Sequence, residues 1–470
     1  MNVRCQAAIA AITLPLLAAG PADAQVLAYP NGQQVPGELS GAMGGAAIAL
    51  ATGPEAAWFN PAGIASEPSP ALTAGTDLLQ YSQVQAGSRQ ESGFVPAPAF
   101  AAFSFGADSR GGGAVWSGAI ALHWPSLVRN SSSSQSEGTL AADQIAPEID
   151  PGGLEAFQDG IQESRADAGI GEYRVLSSLV AGAVSLSGRL RLGFGLEWQR
   201  VDYLAQASSL TAFEAISAID PIQSYQAHIV DESRIEGQID RLIPVFALQA
   251  RPLSGFHMGI YARLPSRFAG GEGSIQWSRS SGGTLDTDGG SPETVSTLVT
   301  GSDSGRQFEL RTPLEVGIGF GFAGSRASFE LDLVRSNGLE NYTVQHMPES
   351  QPPSTGAFEP RPFRTGALPT TRWRTGFALL LGANAAWAVG VRDESSDIQE
   401  ADAVFRKFDL YLVSTAWTVQ YRNISALIGL NYLFGSTQRV SFPTPLGDSN
   451  RNHSVELQSL GLRVAGTWLL

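Results

Sequence analysis

The side chains best suited to chemistry are few and scattered. The five histidines, His123, His228, His257, His346 and His453, share no metal-ligand spacing. Gly319, Gly321 and Gly324 satisfy G-x-G-x-x-G, but they lie in the alternating run GIGFGFAG with no helix following. A dinucleotide site needs strand, turn and helix in succession, so these glycines are strand residues. Neither G-x-S-x-G nor H-E-x-x-H occurs. Asp286, Asp288 and Asp303 sit in Gly/Ser-rich sequence but lack the glutamate that closes a calcium loop, which makes them solvated loop residues. The expectation is no catalytic residue, no metal and no cofactor.

With no reaction centre to position, the elements themselves carry the information. Arg4 precedes an apolar stretch, AAIAAITLPLLAA (7–19), and Ala22-Asp23-Ala24 offers the small residues that a signal peptidase reads. A membrane-spanning helix needs ~20 apolar residues, and Pro21 and Asp23 stop this run short. Residues 1–24 are therefore expected to be a cleaved signal peptide. The single cysteine, Cys5, lies within it, so the mature chain has neither a disulfide scaffold nor a thiol nucleophile. Charged residues make up 16% of the chain, against ~25% in ordinary soluble domains. The mean hydropathy of -0.01 also fits a chain in which apolar and polar residues alternate. A net charge of -14 argues against nucleic acid as a partner.

Alternation is what the chain shows. Leu190, Leu192, Phe194, Leu196 and Trp198 share one parity, while Arg191, Glu197 and Gln199 hold the other. Phe329, Leu331 and Leu333 oppose Glu330 and Asp332, and the same pattern recurs over 114–124, 257–264 and 424–434. A strand turns successive side chains to opposite faces, so each segment has one apolar and one polar face. A soluble β-sandwich alternates too. Strand segments of ~10 residues, tight joins at 187–189 and 422–424, and long polar stretches at 125–172, 205–240, 278–306 and 343–371 favour a transmembrane barrel. Within two of these stretches, Leu154, Phe157 and Ile161, and then Leu210, Phe213 and Ile216, are spaced three and four apart, which predicts helical outer loops. Such stripes either pack the loops onto the rim or form an apolar landing surface for substrate. The last residues, from Leu460 to Leu470, alternate to the end, as a strand read by outer-membrane assembly machinery would.

The most specific stretch is GELSGAMGGAAIALATGPEAAWFNPAGIA (37–65). Small side chains allow close backbone approach in a crowded lumen. Pro61 fixes its own φ and biases Asn60 towards an extended conformation. This Gly/Ala-rich run, followed by Trp58-Phe59 and Asn60-Pro61-Ala62, resembles the FadL/TodX family of outer-membrane transporters for long-chain fatty acids and aromatic hydrocarbons. The resemblance implies an N-terminal hatch that plugs the lumen, with Asn60, Pro61 and Ala62 in its gating motif.

The expected architecture is all-β: a transmembrane antiparallel barrel of about 14 strands (69–470), a hatch (25–68) and partly helical outer loops. The expected function is passive uptake of hydrophobic small molecules across a bacterial outer membrane. Expected partners are that substrate, outer-membrane lipid and, during biogenesis, the assembly machinery, with the chain acting as a monomer. Two other readings stand beside it: a secretion or assembly platform for protein partners on the same scaffold, and a barrel enzyme.

Overall fold

A computed structural model describes residues 37–66, 70–86, 89–95, 99–107, 115–124, 128–140, 161–216, 224–286, 292–307, 309–345, 363–394, 409–437, 443–444, 447–448 and 455–470. The signal-peptide expectation, residues 25–36, Leu154 and Phe157 lie outside these residues.

In chain order the strands are β1 (Ala71–Ala86), β2 (Arg89–Val95), β3 (Ala99–Ala107), β4 (Val115–Trp124), β5 (Val128–Leu140), β6 (Ile161–Ser187) and β7 (Leu190–Ile216). Next come β8 (Ser224–Leu253), β9 (Phe256–Arg263), β10 (Arg267–Asp286), β11 (Glu293–Arg306), β12 (Glu315–Ala323) and β13 (Ala327–Ser336). A small separate hairpin pairs β14 (Leu339–Gln345) with β15 (Phe363–Ala367). The wall resumes with β16 (Thr370–Leu380), β17 (Ala385–Asp393), β18 (Asp409–Tyr421) and β19 (Ile424–Thr437). After the two-residue strands β20 (Pro443–Thr444) and β21 (Gly447–Asp448) comes β22 (Val455–Leu469).

Antiparallel pairing runs β1-β3-β4-β6-β7-β8-β9-β12-β13-β16-β17-β18-β19-β22 and returns to β1, which closes a ring of fourteen strands. The closing pair sets Ala71 against Leu469 and Ala86 against Val455. Closure leaves no unpaired backbone edge to face lipid. The joins at one end are short. Ser187 pairs with Leu190, Leu253 with Phe256, and Tyr421 with Ile424. In the last, Arg422 adopts φ 55, the left-handed conformation that a two-residue hairpin requires.

Burial is inverted relative to a water-soluble domain. Trp116, Ile120, Val180, Phe194, Phe246, Phe322, Trp417 and Ile428 are exposed on the outside. Glu197, Gln199, Arg241, Gln249, Glu330, Asp332, Arg392 and Arg463 are buried on the inside. A continuous apolar belt around a polar interior is the arrangement that hydrocarbon demands. At its outer edge the Arg200 guanidinium lies 5.3 Å from the Trp198 ring centroid and pairs with Asp240 at 3.0 Å. The face assignment on β7 follows the sequence. Phe194 is 55% exposed, whereas Glu197 is 1% exposed. Phe194→Arg, about midway along the apolar stretch of β7, is expected to destabilise the barrel by ~2–4 kcal/mol. Denaturant unfolding in lipid vesicles would register it as a lower midpoint, and an unchanged midpoint would contradict the lipid-facing assignment.

One expectation needs correction. Much of 125–172, 205–240 and 278–306 is strand, not loop. The strands β6, β7 and β8 run for 27, 27 and 30 residues, far beyond the ~10 that cross a bilayer. Leu210, Phe213 and Ile216 lie on β7, and Ile161 opens β6, so these four residues are extended, not helical. On a strand, Leu210 and Phe213 point to opposite faces. Leu210 is exposed outside, while Phe213 joins Ile161, Tyr225, Ile229 and Leu285 in a buried cluster on the inner side. Spacings of three fitted a helix, but unbroken ladders from β6 and β8 on either side of β7 hold it extended.

Candidate functional site

The lumen is occupied by the chain's own N-terminal segment. Residues 37–66 form two short helices, α1 (Leu39–Ala42) and α2 (Ala56–Phe59), and a 3-10 turn over Pro61–Ser66. The second helix ends where Asn60 becomes extended, with φ -155 and ψ 95. Pro61 enforces this change, since it disfavours helical backbone in the residue before it.

Two buried carboxylates on β13 provide the densest attachment. Asp332 Oδ2 accepts the backbone N–H groups of Ala47 (2.8 Å) and Ile48 (3.2 Å). Glu330 accepts those of Ala49 at 2.5 Å and Leu50 at 3.2 Å. Four consecutive donors, which no regular element of the segment satisfies, thus meet side-chain carboxyl oxygens, each with lone pairs free to accept. From β8, Gln249 Nε2 donates to Ala49 O at 2.6 Å. From β18, Ser414 Oγ donates to Ala42 O at 2.7 Å. At the segment's start, the Glu38 carboxylate accepts hydroxyl donors from Ser425 and from Thr467, the latter at 2.7 Å.

Asn60 is fully buried and uses both ends of its amide. Its Nδ2 donates to Ile48 O at 2.7 Å within the segment and to Leu248 O at 3.1 Å in the wall. Its Oδ1 accepts the Ala62 N–H at 3.1 Å. One side chain therefore clamps two turns of the segment to each other and to β8. Pro61 and Ala62 press against the wall at Gly193, where a Cβ would come within 2.2 Å of Ala62 N. The same logic explains the GIGFGFAG run. Gly317, Gly319 and Gly321 leave a recess filled by Ile48, Ala49 and Leu50, and a Cβ on Gly319 would lie 2.7 Å from Ile48 Cβ. Trp58 and Phe59 pack on small inward residues, among them Ala102, Ala119, Ala121 and Ala183. The Trp58 ring meets His123 edge-on at 5.7 Å.

The geometry thus brings Asn60, Pro61 and Ala62 together in one lumen contact. It does not assemble Ile161, Leu210 and Phe213 into one outer surface. The holding residues Glu330, Asp332, Gln249 and Ser414 on the wall carry no motif. Their only trace in sequence is polar side chains on the inward parity of otherwise apolar strands. Among the described residues no His/Cys/Asp/Glu group is placed to hold a metal ion.

No protein-family model matches the chain, and no curated protein sequence does either. Solved structures match over nearly its whole length. A Pseudomonas aeruginosa FadL homologue is 11% identical with a TM-score of 0.59, covering 93% of this chain and 99% of that one. The CymD monoaromatic hydrocarbon channel is 12% identical with a TM-score of 0.51, covering 92% and 97%. The P. putida toluene transporter TodX is 12% identical with a TM-score of 0.50, covering 93% and 99%. What these proteins share with the chain is architecture, and in architecture the chain is a FadL/TodX-type barrel.

Proposed function

We propose that the chain is a bacterial outer-membrane channel for passive uptake of hydrophobic small molecules, with residues 25–68 as its hatch and Asn60, Pro61 and Ala62 as the hatch's fastening. The observation that carries this reading is how the lumen is filled. A fourteen-strand ring is wider than its own inward side chains can close, and the space holds a tethered segment attached by hydrogen bonds, which can be broken and remade. A filled wall needs no such segment; a gated passage does.

The apolar residues on the inner side of the outer half support a greasy solute. Val201, Tyr203, Ile239, Ile275 and Trp277 are buried there, below the Phe213–Tyr225–Leu285 cluster. A hydrophobic molecule that displaced part of this packing would exchange water for apolar contacts at ~25 cal/mol per Å² of surface it buries. The names of similar structures, a monoaromatic hydrocarbon channel and a toluene transporter, point the same way. Whether fatty acids or aromatic hydrocarbons are carried is set by side chains rather than by the fold.

Uptake of radiolabelled toluene and of oleate, in cells with and without the chain, tests the reading. At least one should enter several-fold faster with the chain present. Asn60→Ala, which removes three hydrogen bonds from the fastening, should change that rate while the amount of folded barrel stays the same. Equal uptake of both solutes with and without folded protein would end the channel reading and favour a platform for protein partners.

A further inference from the structure

Among the described residues, the wall's ladder is interrupted between β9 and β10 on one side and β11 and β12 on the other. Regular pairing ends at Gly273 with Arg306 and resumes at Arg263 with Glu315. Between them, Ser266 and Thr312 still hold each other: the Thr312 N–H donates to Ser266 Oγ at 2.9 Å. Leu310 is buried, and its carbonyl accepts Arg241 Nη1 at 3.2 Å. Arg241 belongs to β8, on the far side of β10. The backbone at Leu310 therefore bends to the inside of the barrel.

From Arg241 a chain of contacts runs without a break to the hatch. Arg241 Nε donates to Gln199 Oε1 at 2.8 Å, and Gln199 Nε2 donates to Glu197 Oε1 at 2.6 Å. Glu197 Oε2 pairs with Arg263 Nη1 at 3.2 Å, and Arg263 Nη2 donates to Trp58 O at 3.0 Å. Glu197, Gln199 and Arg241 are all buried. Charges shielded from water have few alternative partners, so a shift at one end is costly unless the other end follows. Both termini of this chain are backbone carbonyls outside the barrel's strands, Leu310 O in irregular backbone and Trp58 O in α2.

We propose that Arg241 and Arg263 are positioning residues that couple the placement of residues 309–314 to the seating of the hatch. A hydrophobic solute that displaces Leu310 then loosens the hold on Trp58. This rests on the channel reading and adds to it a route by which arrival from outside reaches the plug.

The full chain with Cys5 replaced and Ala57→Cys added reports hatch seating through its reaction with a membrane-impermeant maleimide. Arg241→Leu does not touch the hatch, yet it should speed labelling on the order of tenfold, a common size for coupling between sites. Arg263→Leu should speed it as well, and the double variant should label no faster than Arg263→Leu alone, because the two act in series. Arg200→Leu, on the outer surface, should leave the rate unchanged. Arg241→Gln replaces Arg241→Leu if the latter fails to yield folded barrel. Unchanged labelling in a folded Arg241 variant, or effects that multiply in the double variant, would overturn the coupling. Such a failure leaves solute uptake by the unaltered chain, and with it the channel reading, in place.

Discussion

A barrel lacking residues 25–65 is expected to fold and to conduct ions steadily in a planar bilayer, where the intact chain stays close to silent. The wall has its own closed ladder of fourteen strands, and residues 37–66 contribute none of them. Its removal exposes to water the inward groups that now bind it, including Glu330, Asp332, Gln249, Ser414 and Arg263, all of which hydrate well. The glycine recess and the small residues under Trp58 and Phe59 add free width. Barrels of only slightly more strands hold aqueous channels. A folded deletion variant that remained silent would show that something other than this segment closes the lumen.

Comparable opening is expected from two substitutions, Glu330→Ala with Asp332→Ala. They strip carboxyl acceptors from four backbone N–H groups at once. Leaving a buried donor unpaired costs ~1–3 kcal/mol. Four together exceed what the remaining contacts of a short segment are able to hold, so the segment leaves rather than stay unsatisfied. The wall should not suffer. The two carboxyl groups sit two residues apart on the inner face of β13, and the strand's backbone pairing with β12 and β16 does not depend on them. Glu330→Gln with Asp332→Asn keeps one carbonyl acceptor per residue and should give an intermediate, flickering conductance. Bilayer recordings separate the outcomes, and an alanine pair as quiet as the unaltered chain would mean that the carboxylates do not hold the hatch.

The lipid-facing wall was legible in the sequence because one physical rule dictates it. Phe194 and Leu196 face outward and Glu197 inward, as parity alone requires. The tight joins near 188 and 423 were legible for the same reason, since a strand that reverses within two residues leaves no room for anything else. The outer halves of β6, β7 and β8 were not. Beyond the hydrocarbon, water touches the outer face, so Ser208, Thr211 and Glu214 no longer mark a side and the apolar period blurs. Leu210 and Phe213 then fitted a helix equally well. Asn60 was readable as a fastening because proline and a small-residue run surround it. Glu330 and Asp332 were readable only as polar-face residues. Their ligands are backbone groups some 280 positions away, and a backbone N–H has no residue type to reveal it.

The attachment of Glu38 to Thr467 has a consequence for how the molecule comes into being. These residues are 429 positions apart, and Thr467 belongs to the strand that completes the ring. The plug therefore cannot reach its final place until nearly the whole polypeptide has been made and its two ends brought together. Contacts between such distant positions form late, because the loop they close must first lose its freedom. Seating of the N-terminal segment thus belongs with ring closure at the end of assembly. A precursor halted before β22 docks would lack the Thr467 anchor and leave the start of this apolar segment unfastened.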